Sequence, residues 1–503
     1  MRIHSIFATA LFIASAGAYG QVVGGNNNTG ADYEGNIVNN FKDIAVSTSA
    51  GAGGSIVGGN YGVDKSTGNV NGDITNTFEN VTGWAGVGGN YGYTSWGAGN
   101  ASPGDVNGNV SNTLINVNLA EFYGGNSLSS VVSGNPDAGS VRGKITTTLV
   151  SGTISGDLRG SSYPAGSNIR DYGDGEIEIN ILGGEVKGEV MITGGTSRID
   201  KGATVNVSGG TVNYIRGGSK SVVNGDVNLN ISGGMVNSAY AGGKSGGVVN
   251  GNSNIKITGG EVKNLYGTGM FTDHNGNVDI LLAGGKITNV YGSYGKNVGE
   301  VSITLDGNKT EFADNSRIVG YSVYKPNGEM TLNVGISETA FDGALAASIS
   351  KFDSVKVAEN SNASFNGAVS DVVNFEIGAN SVIAFGNNLS VERLVVDYTS
   401  TVDLGAGEIA LKELSIANFD ETCVLGGSYE LDLSQIFGDS TTVVESALKD
   451  GTLFYVVDAS GTEWNVSYSD GQVIIGGNIP EPSAYAAIFG ALALAFAAYR
   501  RRK

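Results

Sequence analysis

Residues 225–243 read GDVNLNISGGMVNSAYAGG, and residues 251–269 read GNSNIKITGGEVKNLYGTG. The second stretch repeats the grammar of the first. Glycine opens a short run in which apolar and polar residues alternate, a Gly-Gly pair turns the chain, and a second short run ends in a tyrosine. Strict alternation is the period of a β-strand with one face buried.

The opening unit recurs as GNIVNNF from Gly35, GDITNTF from Gly72, GNVSNTL from Gly108, GKITTTL from Gly143 and GEIEINI from Gly175. It continues as GATVNV from Gly202, GNVDILL from Gly276 and GEVSITL from Gly299. The steps between units, in chain order, are 37, 36, 35, 32, 27, 23, 26, 25 and 23 residues. The second unit keeps pace, its second glycines falling at Gly210, Gly234, Gly260 and Gly285. Two short strands with turns per roughly 25 residues is the size of one coil of a β-solenoid. Alternation then directs Val, Ile, Leu and Tyr inward and Asn, Thr, Asp and Lys outward, with glycine supplying positive φ at the corners.

From about Met330 the period tightens. VKVAENSNASF, FEIGANSVIAF, LVVDYTSTVDL and LSIANFDETCVL begin at Val355, Phe375, Leu394 and Leu414, in steps of 20, 19 and 20. The expected fold is all-β, a long parallel β-solenoid in two repeat regimes. Residues 21–320 form the looser part and 321–427 the tighter one. Residues 428–475 leave the repeat and read as a capping β region with a short helix that Ser440 caps. The turns Asp458-Ala459-Ser460-Gly461 and Ser469-Asp470-Gly471 join the cap's strands.

Composition narrows the function. Glycine numbers 81 and proline only 6, which fits tight turns rather than a collagen-like or disordered chain. A net charge of −19 argues against nucleic acid or anionic lipid as a partner. Cys423 is the single cysteine, so no internal disulfide forms.

Both ends read as targeting segments. Residues 1–20 carry Arg2, an apolar run from Ile6 to Ala14, and the small residues Ala18 and Gly20 before Gln21, the pattern of a secretory signal peptide. At the other end, Pro480-Glu481-Pro482-Ser483 precedes an uncharged segment over 484–499 and the cluster Arg500, Arg501, Arg502 and Lys503. At 1.5 Å per residue that segment makes a helix of about 24 Å, a minimal transmembrane span. The basic cluster orients it with the rest of the chain outside.

Together, residues 476–503 resemble the PEP-CTERM sorting domain of exopolysaccharide-producing Gram-negative bacteria. The resemblance covers only about 5% of the chain. It implies sorting, and cleavage near the Pro-Glu-Pro motif, by an integral-membrane exosortase acting after the general secretion machinery. The inner membrane then holds the chain only transiently, before release to the cell surface or the extracellular space. The glycine- and asparagine-rich tandem organisation is also similar to the passenger regions of autotransporter adhesins, although the membrane β-barrel that ends a true autotransporter is not read here.

Candidate chemistry is sparse. Asp171, Asp174, Glu176 and Glu178 crowd RDYGDGEIEI, as a calcium site or simply as a solvated turn and strand. GGNYGVD at Gly58 has the flavour of a calcium-binding nonapeptide, but its aspartate does not recur in GGNYGYT. His274, in MFTDHNGN, reads as an exposed loop histidine. Tyr61, Tyr91, Tyr123, Tyr240, Tyr266 and Tyr291 sit beside corner glycines. The last three, nearly one period apart, are the candidate glycan contacts, either as an aromatic strip for pyranose rings or as corner packing. We expect no catalytic group, metal or cofactor. The expectation is an exported structural or adhesive protein of the envelope or matrix, with extracellular polysaccharide as its candidate ligand. The alternative is a β-helical polysaccharide lyase or hydrolase.

Overall fold

The structure is a computed structural model. It describes residues 22–26, 30–48, 54–63, 66–94, 103–130, 139–163, 174–194, 197–217, 221–243, 246–405, 407–420, 429–469 and 472–476. The chain is all-β, and most of its strands pair in parallel with the strand one repeat later.

One column of residues makes the architecture concrete. Phe41, Phe78, Leu114, Leu149, Ile181, Val207, Ile231, Ile257, Leu282, Leu305, Val334, Val357, Ile377, Val396, Ile416 and Val456 are successive register partners, giving sixteen rungs. Each has its side chain buried. The step from Val334 to Val357 carries the ladder across the change of period, so the looser and tighter repeats share one sheet and one apolar core. Parallel pairing with both neighbours satisfies the backbone of each interior rung, and apolar side chains stack on like side chains.

Gly210, Gly234, Gly260 and Gly285 turn each coil with φ between 72° and 78°. A Cβ at Gly234 would also stand 2.7 Å from the carbonyl oxygen of Gly210 in the coil below. Conformation and crowding both demand glycine there. In the tighter repeats, a second parallel sheet of Asp342–Leu345, Asn362–Phe365, Val382–Phe385 and Thr401–Asp403 forms another face. It brings Phe365 and Phe385 into a stack at 5.3 Å.

The expected segregation of polar residues is corrected. Asn39, Asn76 and Asn112 point inward, each amide donating to the next residue up the ladder, ending on the Thr147 hydroxyl. The same amides donate to the carbonyls of Gly58, Gly88 and Gly124. Those turn carbonyls need donors inside the coil, and asparagine supplies them. Val38, on the opposite face, is 61% exposed. Tyr266 is half-buried at the corner, on the side of its strand opposite the core residue Leu265.

Residues 429–475 end the stack. Among the described residues Leu453–Asp458 is the last parallel rung, and Glu463–Trp464 pairs with it antiparallel. Tyr429–Leu431, Val466–Ser469 and Gln472–Ile475 form a small antiparallel sheet. The helix Thr441–Lys449 begins after Ser440 as expected, but Ser440 makes no side-chain cap. Its hydroxyl accepts from the Leu404 amide and donates to Asp403, both at 2.9 Å, and so ties this region to the stack. The turn at Asp458 forms, its carboxylate accepting from Ser460, Thr462 and Trp464. The turn Ser469-Asp470-Gly471 falls partly outside the described residues.

Candidate functional site: the aromatic corner

Strands Val227–Tyr240, Ser253–Tyr266 and Lys286–Ser293 are in register, so Tyr240 pairs with Tyr266 and Tyr266 with Tyr291. The rings lie face to face at 4.3 and 4.7 Å, within 8° of parallel. Arg216 closes the Tyr240 end of the stack with its guanidinium 4.8 Å from the ring centre, and it lies 4.7 Å from Tyr214. Tyr294 packs its ring edge-on to Tyr266 at 5.7 Å. Burial raises the Tyr240 and Tyr266 hydroxyls above the ordinary phenol range.

Both faces of Tyr266 are therefore covered by neighbouring tyrosines, and Tyr240 is only 8% exposed. A pyranose stacks on an open ring face. The geometry makes this column corner packing, with hydroxyls and ring edges at its surface.

The other tyrosines serve similarly. Tyr61 and Tyr91 are buried and stacked at 5.7 Å in a small cluster with Val57 and Val87. Tyr123 and Tyr163 share Arg159, which lies about 5 Å from both rings. Arg159 is bound by Glu121 and, at 2.7 Å, by Asp157. Burial pushes the Glu121 carboxyl up, against the pull of Arg159.

Asp171 lies outside the described residues. Asp174 is fully buried and accepts from the Val141 amide, the Ser162 amide and the Ser162 hydroxyl, which leaves it a structural anchor. Glu176 and Glu178 share Lys144 at 2.9 and 2.6 Å, and that hydrogen bond holds the Glu178 carboxyl below its usual range. Asn60 and Asn90 of the GGNYG units turn inward, each accepting the amide of the matching asparagine one coil away. Among the described residues, no group of three or more His, Cys, Asp or Glu side chains is placed to hold a metal ion. His274 is corrected from exposed loop to buried strand. Its Nε2 lies 3.3 Å from the Asn277 carbonyl, its Nδ1 has no partner, and burial lowers its pKa.

One groove of about 460 Å³ on the tighter repeats has Glu359, Glu376, Asp397 and Lys356 in its wall. Asp397 is committed to its own turn, accepting from the Thr399 amide and hydroxyl and from Asn418. Glu359 and Glu376 are the other carboxylates there, Glu376 accepting from the Ser354 hydroxyl at 3.5 Å.

No family model, curated protein or solved structure matches this chain. The expected signal segment 1–20, Cys423, the Pro480–Ser483 motif, the 484–499 helix and the Arg500–Lys503 cluster lie outside the described residues. Among those described, no helix is long and apolar enough to cross a membrane.

The alternating repeats announced the tyrosine column, whereas nothing periodic announced a second aromatic group beside it. Phe271, Tyr294 and Tyr324 come from three non-repeating turns that the stack brings together.

Proposed function

We propose that the chain is an exported, non-catalytic β-solenoid of the cell envelope or extracellular matrix, serving as a structural and adhesive element. The supporting observation is the unbroken column from Phe41 to Val456. Fifteen steps of about 4.8 Å give a rod about 70 Å long, and such a ladder offers extended faces rather than a deep pocket. The finer architecture belongs to this reading: two repeat regimes, a cap over 428–475, and a terminal transmembrane helix over 484–499.

Delivery rests on the ends of the sequence. Residues 1–20 direct export, and Pro480-Glu481-Pro482-Ser483 with the following helix and Arg500–Lys503 direct sorting and cleavage by an exosortase. Deleting 480–482 tests this. Precursor accumulating in the inner membrane is the expected result, and normal release of the shortened chain refutes it.

The groove lined by Glu359 and Glu376 favours a second reading, a polysaccharide lyase or hydrolase. Reducing-sugar release by the purified chain, abolished by Glu376→Gln, would establish that reading in place of the first.

A further inference from the structure

Beside the covered tyrosine stack lies an aromatic group with an exposed ring. Phe271 is 45% exposed, with Tyr294 edge-on at 5.2 Å and Tyr324 edge-on at 6.4 Å. Lys296 sits 5.1 Å from the Tyr324 ring, and Lys351 sits 4.9 Å from the ring of Tyr321 on the same strand-end segment. Neither lysine has a carboxylate partner among the described residues. The nearby carboxylates are engaged elsewhere: Asp273 accepts from Asn297, and Asp353 binds Lys325 and the Met330 amide.

Backbone conformation singles out the same place. Eleven described non-glycine residues have positive φ, and nine are Asn or Asp, which tolerate it. The two exceptions are Phe271 at 53° and Lys351 at 63°. Phe271 presents its ring to Tyr294 and Tyr324, and Lys351 its ammonium to Tyr321, three residues before Tyr324. Bulky residues held in a disfavoured conformation, with an apolar ring left in water, are expensive features that folding alone does not require.

We propose that Phe271, Tyr294 and Tyr324, flanked by Lys296 and Lys351, bind an anionic, carboxylate-bearing polysaccharide. A uronic-acid ring packs on the exposed part of the Phe271 ring, and the ammonium groups receive carboxylates along the chain. This deepens the adhesive reading by naming its ligand class, with the attraction set locally by the two lysines and the aromatic rings against the net charge of −19.

Affinity electrophoresis of the mature chain through gels containing alginate, with neutral dextran as control, tests the assignment. Alginate should retard the protein, added salt should weaken the effect, and dextran should do little. Phe271→Gly removes the ring and also suits the positive φ. It should weaken alginate retardation about tenfold while leaving the melting temperature unchanged or higher. Lys296→Gln with Lys351→Gln should weaken retardation and abolish its salt dependence. Absence of alginate retardation in the wild type, equal retardation by dextran, or full retention of binding in either variant would overturn the proposal. Any of these failures leaves export and processing untouched, since those are read from secretion and mass.

Discussion

Asn76 donates its side-chain amide to the side-chain oxygen of Asn112 at 2.8 Å, and both residues are buried inside the stack. Asn76→Leu would leave the Asn112 oxygen and the Gly88 carbonyl without their donor, at a cost of about 1–3 kcal/mol despite the gain in hydrophobicity. Asn230→Leu, on the outer face, should cost much less. Denaturant melts of the two variants check this; equal stability would mean the inner amides carry no structural load.

Leu229 is buried while Asn228, next to it, faces outward and donates to Thr204 and accepts from Asn254. Leu229→Asp should cost several kcal/mol by burying an unpaired charge. Asn228→Asp should be mild. Circular dichroism melts showing equal damage would require the opposite strand register.

Because Tyr266 is sandwiched, its removal should be felt as lost packing. Tyr266→Ala should destabilise by about 2–4 kcal/mol, more than Tyr291→Ala, since it breaks both stacked contacts and the Tyr294 edge contact. A variant with wild-type stability and reduced glycan retardation would reopen the column as a direct ligand contact.

Burial depresses the pKa of His274 from its ordinary value of 6.5. The unfolded chain takes up this proton near pH 6.5, and the folded chain only at lower pH. His274 therefore contributes stability that is complete above about pH 7 and is lost as pH falls from 6.5 through the folded value. His274→Leu should flatten that segment of the stability profile. Asp458, held down to about 2 chiefly by the Ser460 hydroxyl, acts in a separate window, losing its contribution as pH falls below 3.8. An unchanged profile between pH 7 and 5 in His274→Leu would show that the ring does not resist protonation.

The coil was legible because Gly234, Gly260 and the alternating strands around them encode turn and face at fixed intervals. Alternation also carried the position of Asn39, which shares the parity of Ile37 and Phe41. Hydropathy pointed the other way, and the carbonyl of Gly58, a donor requirement from a distant turn, decided the matter. Tyr240, Tyr266 and Tyr291 were found by their period. Whether their faces were open depended on the cross-coil spacing, which the sequence of one coil does not contain. Phe271 and Lys351 gave no signal, since residue type does not announce a left-handed conformation and their companions come from other turns.

Intact-mass analysis of the protein recovered from outside its producing cells reads the processing of both ends of the chain. An exported rod sorted through its tail should lack residues 1–20 and everything beyond a cleavage point near Pro482. A full-length chain confined to the cytoplasm, or a secreted chain retaining Arg500 to Lys503, would contradict it.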